Sequence, residues 1–233
     1  MGYRAQEAYT VCMVTAVWGT TTRADGDWQL DTLSEARILE ALQSQAPTNA
    51  VWLEEQLHGK NVVSVGRNDH GPVGKGDGLV TDSLGTVMTV RTADCVPLFL
   101  ISELAAGLVH AGFEGVRKGI LKATLGTLEE QHGINPASVR IHLGPHICDA
   151  CFELRDEWLE GAQGDDKLAP FLKPRRRKYF FSLAEALIAE AEAAGARVES
   201  TSKTCTKHDD THFSHRGGDG EARQLSYLML RDA

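Results

Sequence analysis

Apolar residues along this chain fall into short runs broken by glycine, proline and charged residues. The run "AYTVCMVTAVW" (Ala8 to Trp18) is β-branched and apolar and predicts a strand. "DTLSEARILEALQSQ" (Asp31 to Gln45) carries Leu33, Ala36, Ile38, Leu39 and Leu42 near helical spacing. It predicts a helix with Asp31 as its N-cap. "NAVWLEEQLHG" reads as a strand entering a turn at His58-Gly59, and "NVVSV" as a further strand. "LVTDS", "TVMTVRT", "VPLFLIS" and "AAGLVHAG" are short apolar runs separated by turns, the pattern of a sheet core. "GVRKGILKATLGTLEEQHG" (Gly115 to Gly133) is amphipathic and stops at a glycine suited to a helix C-terminus. "SVRIHLG" predicts a strand and "CDACFELRDEWLEG" a helix. "FSLAEALIAEAEAAG" predicts a helix ending in glycine. "ARVESTSK" and "ARQLSYLML" predict the closing strands.

Strands and helices mix without strict alternation, internal repeats or a long linker. The expectation is one α/β or α+β domain over residues 1–233, with a mixed β-sheet packed by helices. Aromatics make up only 6% of the chain, so Val, Leu, Ile and Ala should fill the core. The formal net charge of -8 argues against general nucleic-acid binding, which needs a cationic face for phosphates. The basic run "KPRRRK" (Lys173 to Lys178) reads as a solvated loop. Five cysteines, an odd and scattered set, do not form a disulfide framework and fit a reducing cytosol. With no signal-peptide pattern and no apolar stretch of spanning length, the expectation is a cytoplasmic protein without a membrane partner. It should be a monomer or small homo-oligomer.

The candidate chemistry lies where strands give way to turns. His58 in "EQLHGKNV", Cys95 in "TADCVP" and His110 in "LVHAGF" are each followed within two residues by Gly or Pro. Side chains at strand ends converge on shared pockets. Two readings compete. His58, Cys95 and His110 are three ligands of one zinc or copper ion, with a fourth position open to water. Alternatively Cys95 is a nucleophile and His110 its base, with no metal. Taken singly, each residue is better read as a buried thiol or a satisfied imidazole, and the spacing does not decide among these.

The segments "QLHG", "GDGLVTD", "RTADCVPLFL", "GLVHAGFEGVRKGI", "LGPHICDACFEL" and "TCTKHDDTHFSHR" add to this. In that order they resemble the YfiH-type laccase-domain family, also described as polyphenol oxidase, purine nucleoside phosphorylase or peptidoglycan editing factor. The resemblance runs from about Val51 to about Tyr227. It implies a single α/β domain similar to the cytotoxic necrotizing factor fold. It also implies a metal, usually zinc with copper as the alternative, on residues matching His58, Cys95 and His110. The chemistry implied is phosphorolysis of adenosine, inosine or methylthioadenosine, and deamination of adenosine, so a purine nucleoside and phosphate are the expected small-molecule partners. Competing readings are a Cys95–His110 hydrolase of an amide or cell-wall precursor, a copper polyphenol oxidase, and a binding module without turnover.

Arg91, Arg216 and Arg223 are candidate phosphate ligands, because a guanidinium grips phosphate oxygens in pairs, or else surface salt-bridge partners, the two readings being balanced for Arg91. Asp77 and Asp94 are candidate carboxylates behind the ligand imidazoles, or else turn formers. The "CDAC" pair, Cys148 and Cys151, reads as structural, since a lone C-x-x-C without a partner pair is weak for zinc. His208, His212 and His215 read as solvent-facing or pocket-lining. The chain departs from the family where Phe113-Glu114 replaces Trp-Arg, Gly217 replaces the second Arg of a pair, and Glu221-Ala222 precedes Arg223. A carboxylate at Glu114 is expected to repel phosphate.

Overall fold

The apolar runs become the strands of two mixed six-stranded sheets that face each other. The computed structural model describes residues 7–11 and 14–232. The strand expected over Ala8 to Trp18 is a hairpin of β1 (Glu7–Val11) and β2 (Val14–Thr20), and residues 12 and 13, Cys12 among them, lie outside the described residues. Then follow α1 (Glu35–Ala41), β3 (Asn49–Trp52), β4 (Glu55–Gln56), β5 (Val62–Ser64), β6 (Gly71–Pro72), β7 (Lys75–Gly76), β8 (Gly78–Thr81), β9 (Thr86–Thr92), β10 (Val96–Ile101) and β11 (Ala106–Ala111). The remainder is α2 (Phe113–Lys118), α3 (Ile120–His132), β12 (Arg140–Leu143), α4 (Asp156–Gln163), β13 (Leu172–Arg175), β14 (Lys178–Phe181), α5 (Leu183–Ala193), β15 (Arg197–Thr201) and β16 (Gln224–Asp232).

The first sheet runs β1-β2-β16-β9-β3-β6 and the second β15-β12-β10-β11-β8-β5. The four runs read as one sheet core are therefore divided, β9 in the first sheet and β8, β10 and β11 in the second. Period-two alternation drives the layering. On β10, Phe99 and Ile101 join Met88, Val90, Leu228 and Leu230 between the sheets. The alternate residues Val96, Leu98 and Leu100 point the other way, onto Ile120, Leu121 and Leu125 of α3 and Leu187 of α5. The outer face of the first sheet is covered by Ile38, Leu42 and Trp28. The result is helix, sheet, sheet, helix in layers, with each fully buried Leu or Ile contributing ~1.5–3 kcal/mol.

Local chemistry corrects several boundaries. The first helix starts at Glu35 and is capped by Ser34, whose hydroxyl accepts from Arg37 N–H; Asp31 lies upstream in a 3-10 turn. The helix expected over Gly115 to Gly133 is two helices, because Gly119 takes φ +78°. The segment "CDACFEL" forms turns, and helix begins only at Asp156. The basic run is a β13–β14 hairpin turning at Arg176 (φ +58°). Its exposed side chains pair with acids, as in Arg175–Asp149 at 3.0 Å and Lys178–Glu153 at 2.8 Å. Among the described residues no helix is long and apolar enough to cross a membrane.

Candidate metal centre

The site grows from the β10–β11 pair. Cys95 immediately precedes β10, and the antiparallel register sets Val96 opposite Ala111 and Pro97 opposite His110. The thiol at the start of one strand and the imidazole near the end of the next thus meet at one end of the second sheet. His58 arrives from the turn after β4, with φ +52°. Nδ1/Nε2 of His58 and His110 and Sγ of Cys95 offer ligand atoms that lie within 4.8 Å of one another. The two imidazole rings stand edge to face, with centroids 4.7 Å apart. Gly112 closes the cradle, because a Cβ there would lie 2.9 Å from Cys95 Sγ and 3.0 Å from His58 Cδ2.

Asp77 ties the group together from beneath. It is fully buried just before β8, the neighbour of β11. Its Oδ1 lies 2.9 Å from His110 Nδ1 and accepts from His58 N–H at 2.9 Å, while Oδ2 accepts from Gly59 N–H at 2.6 Å. With Nδ1–H given to the carboxylate, Nε2 of His110 is left for the thiol side, to share its proton with the Cys95 thiolate or, once that proton is lost, to bind a metal, the arrangement that orients metal-bound imidazoles. Burial opposes charge on Asp77, but the bond from His110 and the two N–H donors carry its pKa below the ordinary value. Burial likewise opposes a Cys95 thiolate, yet the His110 charge and hydrogen bonds from both imidazoles bring its pKa down to about 6. Burial pushes His110 down, but Cys95 and Asp77 together raise it to about 9. The centre is built for a thiolate balanced by a positive charge. Two imidazoles and a thiolate are a donor set that suits Zn²⁺ or copper, so the residues fit the metal their types imply.

The triad forms part of the lining of a cavity of about 730 Å³. Arg91, Arg155, Arg216 and Arg223 reach its wall, and Phe113, Phe152 and Trp158 supply an aromatic side. Phe113 stacks on Trp158 at 5.0 Å, and the Arg216 guanidinium lies over Phe152 at 4.8 Å. Burial lowers the basicity of Arg91, and the Arg223 charge lowers it further.

A sequence model of the family described as multi-copper polyphenol oxidoreductase laccase matches residues 22–231. The chain belongs to this family. The match begins well before the Val51 at which the motifs become legible. The laccase-family chain is 30% identical over 192 residues to a purine nucleoside phosphorylase, YfiH, of Escherichia coli, covering 79% of this chain and 75% of the relative. A purine nucleoside phosphorylase of Streptomyces coelicolor is 29% identical over 188 residues, covering 79% and 76%. The solved structure of YlmD from Geobacillus stearothermophilus superposes with a TM-score of 0.79 at 25% identity, covering 93% of this chain and 92% of that one. These comparisons bear out the mixed α/β fold and the family resemblance.

Within this family frame the residues singled out from sequence separate by position. His58, Cys95, His110, Arg91, Arg216, Arg223 and Asp94 reach the cavity, whereas Asp77 lies behind the triad, inaccessible to a ligand. Asp94 does not orient an imidazole. At φ +91°, a costly conformation for a non-glycine residue, its carboxylate accepts from Thr206 Oγ1 (2.7 Å), Ser214 Oγ (2.6 Å) and Arg216 N–H (2.7 Å). It anchors the C-terminal loop to the strand end that carries Cys95. Glu114 lines the cavity, but Arg117 at 2.7 Å and Lys118 at 3.5 Å pair with it and hold its pKa below the ordinary range. The expected repulsion of phosphate is therefore offset within α2 itself. Sequence reasoning missed Arg155 and Trp158, which lay in a segment read as continuous helix. Of the three late histidines, His215 lines the cavity and His212 is buried beside Asp209, but His208 packs against Cys151.

Proposed function

We propose that this chain is a zinc-dependent purine nucleoside enzyme whose main reaction is phosphorolysis. The observation that carries the reading is one cavity whose lining brings together a metal-suited triad, guanidinium groups and aromatic rings. The names of its relatives support the same reaction class. His58, Cys95 and His110 hold the metal, and Asp77 keeps Nδ1 of His110 protonated. When bound, the metal supplies Lewis-acid polarisation of the substrate. Arg91, Arg216 and Arg223 neutralise and orient phosphate, and Phe113, Phe152 and Trp158 bound the flat base. A phosphate oxygen attacks C1′ of the ribose, and the bond from C1′ to the purine breaks. Its electron pair leaves with the base, which gains the proton that the attacking hydrogen phosphate gives up; free base and ribose 1-phosphate result. Guanidiniums preset around the anion lower the barrier without reorganisation in the reacting step.

The test is incubation of metal-analysed protein with adenosine, with and without phosphate, and product identification by mass. Adenine and ribose 1-phosphate that require phosphate and vanish in Cys95→Ala support the reading. Inosine formed without phosphate assigns deamination to the same centre. No product from fully metallated protein refutes nucleoside turnover. A second reading is favoured by a specific observation: Cys95, His110 and Asp77 also stand in the order nucleophile, base and orienting carboxylate, with a depressed thiol pKa. It predicts an amide hydrolase whose activity survives a chelator, whereas the metal reading predicts loss.

A further inference from the structure

A second group of metal-suited side chains stands outside the triad, and no step of the proposed reaction uses it. Cys148 and Cys151 form a C-x-x-C pair, and Cys205 and His208 form a C-x-x-H pair. In sequence the first pair has no partner pair beside it; the fold supplies one. One potential ligand atom from each residue lies within 4.8 Å of the others. The two turns are built alike. Cys151 N–H donates to Cys148 O and His208 N–H to Cys205 O, each at 3.0 Å. The next residue repeats the bond in both, Phe152 N–H to Cys148 O at 3.0 Å and Asp209 N–H to Cys205 O at 2.9 Å. A β-bridge between His146 and Cys205 lays the turns side by side. Cys148 N–H then donates to Cys205 Sγ at 3.3 Å, and Cys151 Sγ lies 3.0 Å from His208 Nε2.

We infer that Cys148, Cys151, Cys205 and His208 bind a second metal ion, a structural zinc with three thiolates and one imidazole. Zn–S of about 2.3 Å and Zn–N of about 2.0 Å set tetrahedral ligand atoms roughly 3.5–3.8 Å apart, so small side-chain shifts complete the site: separations of up to 4.8 Å close and the 3.0 Å contact of Cys151 with His208 opens. Soft sulfur donors exclude calcium and magnesium. Four protein ligands fill the tetrahedron, which assigns a structural rather than catalytic role. The amide donor on Cys205 Sγ is the kind of outer hydrogen bond that stabilises a ligated thiolate.

The placement gives the ion a task. The first turn leads directly into Phe152 and Glu153, and the second into the loop that carries Ser214 and Arg216. Arg216 Nη1 donates to Glu153 O at 2.8 Å and covers Phe152. Thr206, one residue past Cys205, bonds Asp94. The second metal therefore clasps the two segments that form the Arg216 wall of the cavity.

The test is metal analysis of protein purified under reductant and passed through a weak chelator. The expected result is two zinc ions per chain, one in Cys95→Ala and one in Cys205→Ser or His208→Ala. Because Cys205→Ser can fail to fold, cobalt substitution of Cys95→Ala supplies the second readout. That protein should show tetrahedral cobalt bands with intense thiolate charge transfer, from three thiolates rather than one. One zinc per chain in the wild type, lost entirely in Cys95→Ala, would overturn the inference. So would a disulfide joining any two of Cys148, Cys151 and Cys205 in peptides mapped from the reduced preparation. Neither readout involves nucleoside turnover, so this inference and the proposed reaction stand or fall separately.

Discussion

Asp77→Asn is the sharpest perturbation of the triad, because it keeps the shape and removes one acceptor. The carboxylate meets three donors: His110 Nδ1–H and His58 N–H on Oδ1, and Gly59 N–H on Oδ2. An amide has one oxygen. If its NH₂ faces Gly59, two donors oppose each other at a fully buried position, at ~1–3 kcal/mol for an unsatisfied group. If the amide is turned, its NH₂ faces His110 Nδ1 and forces the other tautomer, placing a proton on the Nε2 that should bind metal. Either outcome weakens the centre. Loss of an outer partner of this kind lowers metal affinity by about 10–100-fold, or roughly 1.4–2.8 kcal/mol at 1.4 kcal/mol per decade. The assay is competition for zinc against a chromophoric chelator, in which the site that is lost in Cys95→Ala reports the triad. Asp77→Asn should shift the competition midpoint by one to two decades while Cys148, Cys151 and His208 are unaffected. A shift below about twofold would refute the claim that Asp77 sets the His110 tautomer.

Three further expectations follow from the same geometry. Gly112→Ala places a methyl 2.9 Å from Cys95 Sγ, and should cost about 1–3 kcal/mol of stability and lower zinc occupancy, read by thermal unfolding and metal analysis. Glu114→Gln should leave the KM for phosphate within about twofold, because Arg117 and Lys118 already offset the carboxylate; a larger fall would restore the repulsion argument. In chelator-stripped protein, the thiolate of Cys95 is lost only as pH falls through about 6. Its alkylation by iodoacetamide, followed by peptide mass, should therefore stay near its plateau at pH 7, where an ordinary thiol with a pKa of ~8.5 has already slowed.

The fold and the triad were legible from sequence for different reasons. Continuous apolar runs report burial on both faces and helical spacing reports one buried stripe, so β8 to β11 and α5 appear in the pattern at nearly their true bounds. Which sheet a strand joins depends on pairing partners far along the chain, such as β16 beside β9, and a local pattern carries no record of that. His58, Cys95 and His110 were marked by their strand-end turns and by family motifs. Asp77 reads in sequence as a candidate carboxylate behind the imidazoles, with turn formation as the alternative, because an acid before glycine commonly makes a turn; the structure sets it on His110 Nδ1. Arg155 and Trp158 were hidden because "CDACFELRDEWLEG" satisfies a helical pattern that its first half does not adopt.

That hidden half shows what the local reading lacked. Helix would have directed Cys148 and Cys151 by the rise and rotation of consecutive turns, with no reason to meet Cys205. Instead the segment folds back at Cys148 and repeats the hydrogen-bond pattern of Cys205 to His208. Two such turns, drawn together by one β-bridge, bring ligand atoms of three thiols and an imidazole within 4.8 Å of one another. The same loops hold Asp94 in its left-handed conformation through Thr206, Ser214 and Arg216. Asp94 in turn precedes the thiol of the first centre. The chain thus couples the two clusters through one strained aspartate, and loosening the Cys205 turn should be felt first in the placement of Cys95 and Arg216.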